Sequence, residues 1–298
     1  MSASRLATLA ALLAALASTA AQAQHANFVL FGSNGQPADA QPEDRFVHPV
    51  TSPYFHEDSF VTTDVRAWYA YQRFDGDSLI NGGKAQVAAV QLRLALTDQL
   101  QFVAYKDGYT DFDSGLVDDS GYNDVAAGLK WNFLQNWKDQ FHMAAGIGYE
   151  LPVGDPGVFQ NDQEMRFWYS VNKGFGPLHL GGTLNYHLAL GDDDEAPLGN
   201  SDQISWHLHA DYWINRYVSP VIEVNGYHVV NRGVESVPFM GADVANLGGG
   251  GDVITAGAGV EVRPVDDLGV RAAFELPLTS DPDDLYGWRL TFSVVYAF

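Results

Sequence analysis

The sequence predicts an all-β fold, a transmembrane antiparallel up-and-down β-barrel of about twelve strands. Three observations lead to this prediction. Apolar and polar residues alternate with a period of two over many stretches, which is typical of strands with two different faces. The connections between these stretches are alternately short and long. The first residues have the pattern expected of an export signal, and the sequence contains no cysteine, so disulfides cannot stabilise the protein.

The first 23 residues have the layout of a secretory signal peptide. Arg5 precedes an apolar run from Leu6 to Ala17, and small residues follow at Ala21 and Ala23. We expect cleavage after Ala23. A membrane anchor is the alternative, but the apolar run is too short to span a bilayer as a helix.

The chain is acidic, with 37 Asp and Glu against 16 Lys and Arg and a net charge of −21. This charge argues against nucleic acid as a partner, because the phosphate backbone would be repelled. No later stretch approaches the roughly 18 consecutive apolar residues of a transmembrane helix. A barrel strand needs only about 9–11 alternating residues, so the hydropathy pattern is compatible with a barrel.

The final strand shows the alternation most clearly. Every second residue from Trp288 to Phe298 is apolar, including Phe292, whereas Arg289 and Ser293 lie on the other side. The same period predicts strands near residues 60–73, 84–96, 100–108, 122–134, 140–151, 162–173, 177–190, 202–214, 217–229, 251–263, 267–278 and 286–298.

The connections predict which end of the barrel faces which compartment. An even number of strands with short turns at one end and long loops at the other is typical of outer-membrane barrels. We therefore predict short periplasmic turns and long, acidic extracellular loops. A soluble β-sandwich is the alternative, but it gives no reason for the alternating loop lengths or for aromatic residues near strand ends. The predicted long loops lie near residues 74–83, 109–121, 152–161, 191–201, 230–250 and 279–285.

The C-terminal residues Val294 to Phe298 resemble the signal that the insertion machinery reads in Gram-negative outer-membrane proteins. The signal peptide and the strand pattern share this resemblance. In size the chain is also loosely similar to the outer-membrane transporters of the MetA-pathway (phenol degradation) type. The resemblance implies location in the Gram-negative outer membrane. It implies as partners the lipid bilayer with its lipopolysaccharide, the insertion machinery through Phe298, and a small solute.

Residues 24–59 do not fit the strand pattern. They contain four prolines, and one apolar run from Phe28 to Phe31. They are either a flexible periplasmic lead-in, or a segment that enters the barrel and narrows it or docks a periplasmic partner. The predicted organisation is a signal peptide at 1–23, this N-terminal segment at 24–59 and the barrel at 60–298.

The polar faces of the predicted strands carry charges of both signs, and ionised groups inside a barrel must be paired or hydrated. These residues either line a solute path or form structural pairs across strands, and because their charges nearly balance they do not indicate whether anions or cations would be preferred. The predicted lumen residues are Asp64, Arg66, Arg93, Lys130, Glu164, Arg166, Asp211, Glu223, Glu261, Arg271, Glu275 and Arg289.

Two sets of residues are candidates for metal binding, although no cofactor is required by the sequence. The acidic loops, notably Asp111 with Asp113 and Asp192 to Asp194, either form a solvated rim or bind Ca²⁺. Neither completes an EF-hand loop. A histidine cluster on two neighbouring strands either binds a transition ion or forms a hydrogen-bonded wall, and it consists of His187, His207, His209 and Asp211.

The sequence predicts no enzyme. Twelve-stranded outer-membrane phospholipases carry a His/Ser/Asn-type site, but His187 has no serine two residues further on. We expect a channel or transporter-like barrel that passes a small solute. The alternative is a closed structural or interaction barrel whose acidic loops bind a partner or divalent cations. A membrane-embedded lipid hydrolase is a third, weaker hypothesis.

Overall fold

The computed structural model describes residues 28–32, 42–76, 81–115, 117–161, 163–190, 202–231, 252–279 and 287–298. The predicted signal peptide and the acidic run from Asp192 to Asp194 lie outside these residues. In the described ranges no helix is long and apolar enough to span a membrane.

Alternating residues produce fourteen strands in the described residues, all paired antiparallel. β3 and β4 both pair with β2, and they form one wall strand interrupted at Asp107 and Gly108. β5 and β6 likewise continue one another, so the wall has twelve strands. The strands are β1 (Asp64–Phe74), β2 (Gly83–Ala95), β3 (Leu100–Lys106), β4 (Tyr109–Ser114), β5 (Asp118–Tyr122), β6 (Val125–Asn136), β7 (Phe141–Leu151), β8 (Gln163–Phe175), β9 (Leu178–Leu190), β10 (Asp202–Tyr212), β11 (Val218–Asn231), β12 (Asp252–Val265), β13 (Leu268–Pro277) and β14 (Trp288–Ala297).

The sheet closes because β1 pairs with β2 on one side and with β14 on the other. The β1–β14 register runs from Asp64 opposite Ala297 to Arg73 opposite Trp288. Closure gives the backbone groups of the first and last strands partners within the sheet, which lipid would not supply. The predicted fold class, a closed antiparallel barrel, is confirmed.

The third and fourth wall strands are longer than predicted. They extend to Ser114 and begin at Asp118, whereas the alternation predicted 100–108 and 122–134. The additional residues form the β4–β5 hairpin, whose acidic composition is typical of a loop. Gly108, with a φ of 120°, marks the interruption where the hairpin begins.

The outer face of the wall is apolar and exposed. Leu184, Ile222 and Phe292 expose 54%, 62% and 47% of their surface, while their strand neighbours on the inner face are buried. Such a continuous apolar surface is unusual on a soluble monomer and fits contact with acyl chains. The predicted outward orientation of the apolar faces therefore agrees with the structure.

Residues 28–32 lie beside the C-terminal end of the last strand. The Phe28 N–H donates to the carbonyl oxygen of Phe298, and the Leu30 N–H donates to that of Ala95. Phe31 remains exposed. The apolar run therefore borders the barrel at the end where the turns are short.

A charge placed on the outer face should destabilise the barrel according to its depth. We expect Leu184→Arg, at the middle of β9, to lower the free energy of unfolding by about 2–4 kcal/mol, because the cation must leave water for hydrocarbon. The control is Leu278→Arg, just beyond the end of β13, with an expected loss of about 0–1 kcal/mol. Equilibrium unfolding in urea with lipid vesicles measures both. Equal losses at the two positions would contradict a membrane-spanning wall.

Candidate functional site

The twelve predicted lumen residues all point to the inside of the barrel, and each is at most 3% exposed. The wall strands place them there because they occupy every second position, opposite the apolar face. Their burial means that other parts of the chain cover them.

The covering element is residues 44–63, which we call the lumen segment. All of its residues are buried except Arg45, which is partly buried. Side chains of β1, β2, β3, β6 and β8 through β12 donate to or accept from it. The segment therefore lies within the barrel and contacts the wall on most of its circumference.

Carboxylates of the wall bind the backbone N–H groups of the lumen segment. Glu223 accepts from the N–H of Val50 at 3.0 Å and from the N–H of Thr51 at 2.6 Å. Asp211 accepts from the N–H of Val47 at 3.1 Å. Hydrogen bonds to ionised acceptors are stronger than neutral ones, so these contacts fix residues 47–51 against β10 and β11.

Cations of the wall bind the backbone carbonyl groups of the same segment. Arg166 donates to the carbonyl oxygen of Tyr54 at 2.8 Å and to that of Phe55 at 2.6 Å. Arg263 donates to the carbonyl oxygen of Phe46 at 3.1 Å. The wall therefore provides hydrogen-bond partners for both the N–H and the C=O groups of the segment's backbone, as buried backbone groups require.

Ion pairs join the side chains of the segment to the wall. Glu57 pairs with Arg93 at 2.6 Å, and Asp58 lies 3.4 Å from the ammonium nitrogen of Lys130. Asp58 also bonds to His48 within the segment. These buried carboxylates are compensated by nearby cations, as buried charges must be.

Uncharged polar residues of the inner face also bind the segment, and sequence reasoning based on charge missed them. Asn172 accepts from the N–H and the hydroxyl of Ser59, each at 2.8 Å. Gln91 donates to the carbonyl oxygen of Pro53 at 2.8 Å. They occupy the same alternate positions as the charged residues, so periodicity alone would have found them.

Two histidines of the predicted cluster form hydrogen bonds with neighbouring carboxylates. His187 bonds to Glu164 at 2.7 Å, and His209 bonds to Glu223 at 2.6 Å and to Asp211 at 3.0 Å. In the part of the chain that the structure describes, no group of three or more His, Asp or Glu side chains is arranged to hold a metal ion.

His187 lies near His207 on the neighbouring strand, but the two are not directly opposite each other. His187 lies opposite Gln203, whereas His207 lies opposite Thr183. The register follows from pairing along the whole of β9 and β10, and the positions of the histidines do not determine it. Ser205 nevertheless lies between His187 and His207, with its hydroxyl 3.2 Å from one ring nitrogen of each.

The acidic residues of the β4–β5 hairpin have partners in the wall. Asp113 pairs with Lys84 at 3.1 Å, and Asp111 accepts from the amide of Gln86 at 3.1 Å. These contacts join the hairpin to β2.

Closed pairing, an apolar outer face and a charged interior together define a transmembrane β-barrel of the outer-membrane type. The fold is similar to that of the COG4313 outer membrane channel from Pseudomonas putida F1, with a TM-score of 0.62 and 13% identity over 80% of this chain and 96% of that one. The NanC porin gives a TM-score of 0.49 and 10% identity over 79% of this chain and 98% of that one. No protein-family model and no curated protein matches the sequence.

Loss of the Glu223 charge should loosen the lumen segment. We expect Glu223→Gln to accelerate hydrogen exchange at the N–H groups of Val50 and Thr51 by about tenfold or more, because hydrogen bonds to charged groups contribute roughly 1.5–3 kcal/mol. Glu150→Gln is the matched control, since Glu150 pairs with Lys106 and has no recorded contact with residues 47–51. Hydrogen exchange of both variants is measured by mass spectrometry on the protein in detergent. The same acceleration in both variants would contradict a specific role for Glu223.

Proposed function

We propose that this protein is an outer-membrane channel that passes a small solute and that the lumen segment closes it in the conformation described here. The observation that carries the proposal is the interior of the barrel. It is lined by ionised and hydrogen-bonding side chains, many of which bind the lumen segment. The segment also contacts the wall through apolar clusters around Tyr54 with Phe55 and around Val47 with Val50.

A polar interior supports a solute path because water can replace the polar contacts that the segment makes. Residues such as Glu223, Arg93 and Lys130 would be hydrated if the segment moved, whereas apolar core residues would be exposed at a cost. A twelve-stranded barrel is also wider than the eight-stranded barrels that side chains alone fill. Movement of residues 44–63 would therefore leave a passage lined by charges of both signs.

A closed structural barrel is the second candidate, and the burial of the lumen residues favours it. If the segment never moves, the same contacts serve only to stabilise the wall. The two candidates differ in one measurable property, which is whether the full chain carries ionic current.

We do not propose catalysis. Ser205, His187 and Glu164 are joined by hydrogen bonds of 3.2 and 2.7 Å, in the order of a hydrolytic triad. However, Asn185 also donates to the Ser205 hydroxyl, and the ring of Phe55 lies 4.4 Å from that of His187. These three groups are fully buried or nearly so, which leaves a substrate no access.

The remaining partners are proposed from the placement of the C-terminus and the outer face. Phe298 is half exposed at the short-turn end, where the insertion machinery would meet it. The apolar belt would contact acyl chains, including those of lipopolysaccharide. Bound Ca²⁺ at the acidic loops remains a prediction.

A reversible disulfide should test the proposed closure, because the chain contains no native cysteine. The hydroxyl of Ser59 lies 2.8 Å from Asn172 on β8, so we choose the double variant Ser59→Cys, Asn172→Cys. We expect the reduced protein to give discrete current steps in a planar bilayer and the oxidised protein to give none. The two single-cysteine variants are the controls, and oxidant should leave their currents unchanged.

The same recordings separate the two candidate functions. Equal currents in the oxidised and reduced double variant would show that the lumen segment does not close the path. If neither the wild type nor the reduced variant carries current, the closed structural barrel is the better description.

A further inference from the structure

Arg66 is a buried cation that has no carboxylate partner among the residues that the structure describes. It is 1% exposed on the inner face of β1. Its only recorded hydrogen bond in the described residues joins Nη1 to the carbonyl oxygen of Pro49 at 3.5 Å. Nε and Nη2 have no partner in this part of the chain. An unpaired buried charge is energetically costly, so a residue of this kind in a closed interior indicates a bound ligand.

Other buried arginines of the wall are compensated. Arg93 pairs with Glu57, Arg271 with Glu261 and Arg289 with Glu275. Arg166 has no carboxylate partner, but its three nitrogen atoms all donate hydrogen bonds, and its guanidinium group lies against aromatic rings. Arg66 therefore differs from the other buried arginines of the described ranges, because its charge is not compensated by a close partner there and most of its hydrogen-bond donors are unused.

Further unpartnered groups lie on the two strands that follow β1 around the wall. Nη1 of Arg271, on β13, has no hydrogen-bond partner in the described residues, and neither has the hydroxyl of Ser293 or Thr291, on β14. All three residues are at most 5% exposed and belong to the inner face. Donors that are left over together on adjacent strands indicate a shared site more strongly than one orphan would.

The sheet register brings these groups together. Ser293 lies directly opposite Arg271 on one side, and on the other side it lies opposite Trp68, two residues from Arg66. Directly opposed residues have Cβ atoms about 4.5–5.5 Å apart, and diagonal neighbours are about 7–8 Å apart. Both guanidinium groups can therefore reach the space above Ser293.

Short side chains on the wall leave the Thr291 hydroxyl without a partner. Thr291 lies opposite Ala70 on β1 and opposite Ala273 on β13. Neither alanine offers a hydrogen-bonding group. Thr291 therefore adds an unpartnered hydroxyl one inner-face position beyond Ser293, on the side away from Arg66.

Charge distinguishes an anion from water as the occupant. A water molecule could accept from these donors but would not balance the Arg66 charge. The like charges of Arg93 and Arg271 act on Arg66 more strongly than the opposite charges of Asp64 and Glu57, and both of these carboxylates pair with Arg93. An anion would satisfy the donors and the charge together.

We propose that the inner wall of β1, β13 and β14 binds a small oxyanion, a carboxylate or a phosphate, between Arg66 and Arg271 and above Ser293. The guanidinium fork matches the two oxygen atoms of such groups, and hydroxyl donors complete the shell. If the barrel is the proposed channel, its solute is an anion. Only this statement about the solute rests on the proposed function.

Equilibrium dialysis with radiolabelled acetate and radiolabelled phosphate tests the site. The full chain is refolded from urea into detergent in the presence of the label, so that entry does not depend on an open lumen. We expect saturable binding of about one anion per barrel, and at least a tenfold loss of affinity in Arg66→Gln. Arg66→Lys keeps the charge but not the fork and should bind with intermediate affinity.

Arg73→Gln is the matched control, because Arg73 lies on the same strand but is exposed on the outer face. It should bind as the wild type does. Circular dichroism verifies that each variant folds. Because Arg66 has no carboxylate to leave unpaired, we expect Arg66→Gln to fold. If it does not fold, Ser293→Ala, with a smaller expected loss, replaces it. Equal binding by wild type and by the folded inner-face variant, or no saturable binding at all, would overturn the proposal.

Current recordings on the same preparations keep the two proposals apart. Saturable binding without current in any preparation would retain the anion site and refute the channel. Current without saturable binding would retain the channel and refute the site.

Discussion

Backbone hydrogen bonding between β1 and β14 is the constraint on which the rest of the structure depends. In hydrocarbon an open sheet edge would leave N–H and C=O groups without partners, at several kcal/mol each. The pairing from Asp64–Ala297 to Arg73–Trp288 closes that edge. Once the sheet is closed, each strand has one face toward lipid and one toward an enclosed interior, and the period of two assigns every side chain to one of them.

Closure turns the interior into a polar compartment that must be filled or hydrated. The lumen segment fills it with backbone as well as side chains. Glu223 accepts from N–H groups of this segment, and Arg166 donates to its carbonyl groups. This arrangement uses charges of both signs on the wall, which explains the balanced interior. It also leaves Arg66 as an exception whose charge the described residues do not compensate.

Much of the fold could be predicted from the sequence, because alternation and turn composition are local properties. The outward direction of Phe292 and most strand positions follow from neighbours in the chain, and the even strand number with alternating loop lengths predicts the barrel. The β4–β5 hairpin was missed because its acidic residues resemble a loop, although backbone pairing continues the strands beyond the interruption at Gly108. The residue opposite His187 could not be predicted, because one strand's position against the next depends on the whole length of both.

The sequence by itself determined which residues alternate, and therefore which ones could face inward, since the geometry of a strand makes that a property of near neighbours. Only the tertiary structure decided which inward residues meet, and what covers them. Thr51 and Glu223 are 172 residues apart in the chain and 2.6 Å apart in the barrel. Contacts between such distant positions depend on closure, register and the path of residues 44–63, and none of these is encoded in a short stretch of sequence.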